Sequence, residues 1–268
     1  AVEPSLEERI DLRDIPLVTI DGADARDFDD AVWAEPDPDV DGGWHIIVAI
    51  ADVSWYVRPG SSLDRDARER GNSVYFPDRV VPMLPEALSN GLCSLKPNEN
   101  RPCLAVHMWI APNGGLTRHT FVRGLMKSTA RLTYSEVQAI HDGRRDDQTA
   151  SLLATVIKPL YGAFETLLKS RNRRSALELD IPERRIEIAD DSTVRAIKEH
   201  ERLDSHRLIE EFMITANVAA AETLEKLRQP CMYRIHDRPS KEKAEALNQF
   251  LRSLNLQIDK GQLPQPRL

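Results

Sequence analysis

The sequence has little of what marks a secreted or membrane protein. It holds three cysteines, Cys93, Cys103 and Cys231, and no Cys-x-x-Cys pair. That argues against a disulfide scaffold and a cysteine-rich zinc site, and favours a reducing, cytoplasmic compartment. The longest purely apolar run, Ile46 to Ala51, falls far short of the ~20 residues that cross a bilayer, so no membrane partner is expected. The first residues carry no basic start followed by an apolar stretch, so they do not read as a secretory signal. The seven histidines form no His-x-His or His-x-x-x-His pair, which counts against zinc. Positive charge is also short: the formal net charge is -7. A protein that coats nucleic acid draws its affinity from Lys and Arg on phosphates, so that class is disfavoured. An enzyme with a local basic channel and an acidic metal centre is not.

What is present supports a folded core. Hydrophobic residues make up 41% and charged residues 29% of 268 positions, a globular composition. Periodicity predicts an α+β fold, with a mixed, mostly antiparallel sheet early in the chain packed with long helices from the later half. Strands are expected at Leu17–Ile20, Ala31–Ala34, Trp44–Asp52, Leu104–Ala111 and Leu116–Arg123, the last two joined by Pro112-Asn113-Gly114-Gly115. A further hairpin is expected around Asp190-Asp191-Ser192, and a short strand over Met232–His236. Helices are expected at Thr133–His141, at Ala150–Arg173 with a kink at Pro159, at Leu203–Leu227, and from a Ser240 cap to about Leu254. Trp33, Trp44 and Trp109 are expected in the core, and His236 in the core or a turn.

The densest chemistry is an acidic loop. Asp21, Asp24, Asp27, Asp29 and Asp30 fall within ten positions, with Arg26 alone to offset them. Crowded carboxylates raise one another's pKa, and hard divalent cations prefer such oxygens. In an extended stretch Asp27 and Asp29 share a face while Phe28 enters the core, and Asp30 points away unless the chain bends. Asp24 reads as surface. The residues alone leave two readings open, a solvated acidic turn and a cation seat. An EF-hand is excluded by the position of Gly22 and the missing flanking helices.

Several blocks, in order, resemble one family. They include Thr19-Ile20-Asp21, Asp27-Phe28-Asp29-Asp30-Ala31, Val48-Ala49-Ile50-Ala51-Asp52-Val53-Ser54 and Gly71-Asn72-Ser73-Val74-Tyr75-Phe76-Pro77. Further along stand Leu88-Ser89-Asn90-Gly91-Leu92-Cys93-Ser94-Leu95-Lys96-Pro97, Ala130-Arg131-Leu132-Thr133-Tyr134, Ile209-Glu210-Glu211-Phe212-Met213 and Tyr233-Arg234-Ile235-His236. They resemble the RNB catalytic domain of the ribonuclease II / ribonuclease R exoribonucleases, with a closer likeness to ribonuclease R. The resemblance implies a hydrolase that removes nucleotides from the 3′ end of single-stranded RNA and releases 5′-monophosphates. It maps the family's metal-binding aspartates onto Asp21, Asp27, Asp29 and Asp30, with Asp29 the catalytic residue and Mg²⁺ or Mn²⁺ the cofactor. It assigns base stacking to Tyr75, and contacts to the sugar near the scissile bond to Tyr134 and Glu210.

Plainer roles remain open for these three, as a strand tyrosine, a cap-region tyrosine and a helix glutamate. Glu211 projects elsewhere and is a weaker candidate. Leu179 stands where some relatives carry an aromatic base clamp. The basic clusters Arg171-Arg173-Arg174 and Arg184-Arg185 are read as a candidate phosphate path, with Arg173-Arg174 equally a partner for a helix C-terminus. No Ser-Pro-Ile-Arg block follows, so residues 1–268 are expected to be the N-terminal two-thirds of a catalytic domain, without the family's flanking small β-barrel domains. An impaired RNA- or protein-binding relative, an inactive fragment and a DNA exonuclease stand as alternatives.

Overall fold

The computed structural model describes residues 8–144, 150–174, 183–189, 193–235, 237 and 239–256. Leu179, His236 and Asp190-Asp191-Ser192 lie outside them. The chain begins with β1 (Ile10–Asp11), β2 (Val18–Asp21), β3 (Asp30–Pro36) and β4 (Trp44–Ala51). Two short helices, α1 (Val53–Tyr56) and α2 (Ser62–Arg70), lead to a small hairpin of β5 (Val74–Tyr75) and β6 (Val80–Val81). After a π-helical turn at Ala87–Leu92 come β7 (Asn100–Ile110), β8 (Leu116–Lys127) and β9 (Ala130–Thr133). The later half holds α3 (Tyr134–His141), α4 (Ala150–Leu152), a π-helical turn (Leu153–Ile157), α5 (Lys158–Arg173), the hairpin β10 (Glu183–Ile188) and β11 (Val194–His200), α6 (Asp204–Lys226) and α7 (Lys241–Ser253).

Seven strands form one sheet in the order β1-β8-β7-β4-β3-β2-β9. It is antiparallel through its centre and parallel at the two edge pairs, β1 with β8 and β2 with β9. This is the expected α+β arrangement. The apolar run of β4 follows from its central place, because successive side chains point to opposite faces and both faces are covered. Ile46 and Val48 join Leu160, Phe164, Leu208 and Phe212 under α5 and α6. Ile47 and Ala49 join Leu12, Leu88, Leu95 and Met126 on the other side.

The helix expected over Ala150–Arg173 runs without a break as α4, the π turn Leu153–Ile157 and α5, and its irregularity falls just before Pro159, which sits in the first turn of α5. The strand expected at Met232–His236 is absent over Met232–Ile235, which are irregular and outward-facing, with Met232 99% exposed. A run of strand-forming residues gains nothing without a neighbour to pair with. The tryptophans are half-buried. Trp44 packs so closely on α5 that a side chain at Gly162 would overlap its ring. Trp33 and Trp109 instead flank His45 towards one end of the sheet.

Candidate functional site

The acidic loop joins β2 to β3, and its shape comes from distant parts of the chain. Phe28 is buried. Its N–H donates to Ser94 Oγ at 3.1 Å, and its carbonyl accepts from the Leu95 N–H at 2.8 Å. Arg131, on β9, lays its guanidinium 4.8 Å over the Phe28 ring and donates to the carbonyls of Ala23 (3.0 Å) and Ala25 (3.4 Å). The loop is thus pinned at its apolar centre and along its backbone while its carboxylates stay outside the core. Phe28 goes inward, as alternation requires.

The carboxylates form one charge-coupled set. Burial pushes Asp21 up, opposed by the Gly22 N–H, which donates to Asp21 Oδ1 at 2.7 Å; Asp27 and Asp24 raise it further, and Arg131 lowers it. Burial, then Asp27 and Asp21, push Asp29 up to about 6. Burial, then Asp21 and Asp29, push Asp30 up to about 6. Asp30 opens β3 and follows the inward face of Val32 and Ala34, towards the helix layer. It follows Asp29 directly and stays within charge range of both Asp29 and Asp21. Its Oδ2 is buried with no hydrogen-bond partner, a costly state for a charged oxygen. Asp24 is exposed.

A donor set made only of carboxylates, with one buried oxygen unsatisfied, suits a hard divalent cation. Among the described residues, no three His, Cys, Asp or Glu groups stand close enough together to hold an ion at once.

The expected RNA-contacting residues gather around this set. Tyr75 is 67% exposed at the tip of the β5–β6 hairpin. Its phenol is raised first by burial and then by Asp27, Asp29 and Asp21, with a hydrogen bond to Asp27, so it stands beside the acidic loop. Tyr134 follows Thr133, which caps α3 through a reciprocal pair of contacts with Glu136. Burial, then Asp21, Asp30 and Glu210, push the Tyr134 phenol up to about 12. Glu210 on α6 faces Arg202, 2.5 Å away. Glu211 is buried and paired with Arg171 of α5. Arg171 therefore does not line a phosphate path; it ties two helices together, since a buried carboxylate needs a cation at its side. Arg173 likewise is engaged, donating to the Asn113 carbonyl in the β7–β8 turn.

Two residues at the site were not singled out from the sequence. His206 stacks on Tyr134 with ring centroids 4.1 Å apart, and its Nδ1 accepts from the Leu203 N–H at 3.1 Å. Its spacing four residues before Glu210 places both on one face of α6, a signal present in the sequence. Arg131, the brace of the acidic loop, sits in a quoted block but carries no local sign of its partner more than a hundred positions earlier.

Residues 9–266 match the RNB domain. Ribonuclease R of Escherichia coli is 46% identical over 261 residues, which is 97% of this chain and 32% of that protein. The structure is similar to Mycoplasma genitalium RNase R in complex with ribose methylated single-stranded RNA (TM-score 0.91, 28% identity, 100% of this chain and 42% of that one). It is also similar to the same enzyme in complex with double-stranded RNA (TM-score 0.90, 28% identity, 98% of this chain and 47% of that one). The chain spans about a third of the length of the curated relatives it matches. No described helix is long and apolar enough to cross a membrane. The order of the blocks, the seven-stranded sheet and the carboxylate set agree: this chain belongs to the RNB domain family.

Proposed function

We propose that this chain carries the carboxylate centre of a hydrolytic 3′→5′ exoribonuclease that degrades single-stranded RNA to 5′-monophosphates in the cytoplasm. The observation that carries the reading is the Asp30 carboxylate, buried with an unsatisfied oxygen and charge-coupled to Asp21 and Asp29. Asp21, Asp27, Asp29 and Asp30 would hold Mg²⁺, with Mn²⁺ an acceptable substitute. When bound, the ion supplies charge neutralisation for a phosphodiester attacked by water. Asp29 is the catalytic carboxylate, because it keeps solvent access while belonging to the coupled set. Tyr75 offers a ring for the terminal base. Tyr134 and Glu210 offer a phenol and a carboxylate to a ribose 2′-hydroxyl, which donates and accepts.

The test is divalent-dependent shortening of a 3′-tailed RNA, set against a 3′-blocked RNA and a DNA of the same sequence. Progressive loss of 3′ nucleotides from the first alone is expected, and Asp29→Asn should abolish it while RNA binding persists. The spacing of the carboxylates, none gathered in threes, favours a second reading, an impaired RNA-binding relative. That reading predicts tight RNA binding with no shortening at any divalent concentration.

A further inference from the structure

Two short hairpins face each other across a cleft of about 1280 Å³ beside the acidic loop. The β5–β6 hairpin presents Tyr75 and Phe76, and the β10–β11 hairpin presents Arg184, Ile186 and Arg195. Small-molecule sites occupy ~300–1,000 Å³, so this cleft suits a run of linked units better than one compact ligand.

Its walls divide by chemistry. Ile186 lies opposite Ile197 in the β10–β11 ladder, and Arg184, two positions before Ile186, shares its face. The ladder shifts register where Arg195 stands, and Arg195 lines the cleft together with Arg184 and Ile186. The face is solvent-open, with Ile197 61% exposed. Aliphatic and aromatic surface flanked by cations is the pattern of a groove for single-stranded nucleic acid, where bases lie on apolar surface and cations track the backbone.

The charges are placed for a ligand. Lys198, also in the cleft, is engaged by Glu187 at 2.7 Å. Asp78, on the opposite wall, is engaged by Arg79 at 2.8 Å. Arg184 and Arg195 are exposed and make no ion pair with any described residue. A chain of net charge -7 repels a polyanion at long range, so attraction must come from such local cations.

We propose that Arg184 and Arg195 form a phosphate-binding pair that holds the backbone of single-stranded RNA upstream of the terminus at Tyr75. The proposal rests on the reading that this chain acts on RNA. It assigns the β10–β11 hairpin as the second wall of the substrate groove.

The test measures affinity of the 268-residue chain for a 5′-labelled oligouridylate over a salt series. It is done in EDTA on an Asp29→Asn background, so that the RNA stays whole. For single strands, log K falls with log salt by ~0.7 per phosphate neutralised. The double substitution Arg184→Ala/Arg195→Ala should therefore flatten the slope by ~1.4, about a sevenfold smaller loss of affinity between 50 and 200 mM salt. Arg184→Lys/Arg195→Lys should keep the parental slope. Lys241→Ala/Lys243→Ala, on exposed α7 away from the cleft, should keep it too. An unchanged slope in the alanine pair, with RNA binding intact, overturns the proposal alone. An equal flattening by the α7 pair overturns it as well, because the effect would then be general charge. Absence of RNA binding in the parent overturns the underlying functional reading.

Discussion

Asp30→Asn should make the metal-free protein more stable at neutral pH. In the fold, burial and the neighbouring charges of Asp21 and Asp29 raise the Asp30 carboxyl from 3.8 to about 6. A group with a raised folded pKa binds its proton more tightly in the native state. Native stability therefore rises as pH falls from about 6 towards the unfolded value near 4, and the ionised group costs stability at every pH above 6. Each pH unit is worth ~1.4 kcal/mol, so the cost approaches ~3 kcal/mol. Asparagine keeps the shape and removes the charge. At pH 7.5 in EDTA the variant should gain about 2–3 kcal/mol, roughly 4–12 °C in Tm for a chain of this size. Below pH 4 the two proteins should converge. On the proposed role of Asp30 in holding Mg²⁺, magnesium should reverse the order, because the variant would lose that ligand oxygen. The assay is thermal unfolding by circular dichroism across pH 4 to 8, with and without Mg²⁺. A variant less stable than wild type at pH 7.5 in EDTA, or a gap that does not change with pH, would refute the reasoning.

Other perturbations separate architecture from chemistry. Asp52 is 6% exposed and receives Arg9 at 2.7 Å and Ser54 at 2.6 Å. Burial pushes its carboxyl up, yet these hydrogen bonds outweigh that and hold it below the ordinary range. Asp52→Ala should cost about 3–5 kcal/mol by urea titration, since it strands a buried guanidinium. The contribution of Asp52 should be complete above the unfolded carboxylate pKa and fade as pH falls below it. Tyr75→Ala should weaken capture of short RNA by ~1–3 kcal/mol and lengthen the shortest end product, leaving turnover on long RNA near wild type. Product sizing on a denaturing gel checks it; an unchanged end product counts against stacking. Gly114 adopts φ +81° in the β7–β8 turn, and a Cβ there would meet the Thr166 carbonyl at 2.3 Å. Gly114→Ala should therefore lower Tm without changing the RNA cleavage pattern.

The parts of the fold that could be read from the chain are those whose cause is local. β4 announces itself through its Ile and Val run after the Pro36–Gly43 loop, and β3 through Ala31-Val32-Trp33-Ala34 before it. The β7–β8 turn is written in Pro112-Asn113-Gly114-Gly115, and α7 in its Ser240 cap. The acidic loop was legible as a concentration of charge, and the inward turn of Phe28 followed from alternation. What stayed hidden depends on partners far along the chain. Nothing near Arg171 shows that Glu211 will be buried beside it, which is why a phosphate role looked open. Met232–Ile235 has strand-forming side chains but no ladder to join. The shape of the acidic loop depends on Arg131, Ser94 and Leu95.

That dependence sets the order in which the centre can come into being. β9 zips alongside β2 in parallel, bringing Arg131 to a loop whose carbonyls lie 106 and 108 positions earlier. Closing so long a span is entropically expensive and kinetically slow. During synthesis the carboxylates emerge first, as a mutually repelling tract without its clasp. The acidic loop therefore cannot be clasped until Arg131 has emerged, and a chain interrupted before it would carry all five aspartates of the loop and the Ser94 and Leu95 anchors without the guanidinium that ties the loop's backbone down.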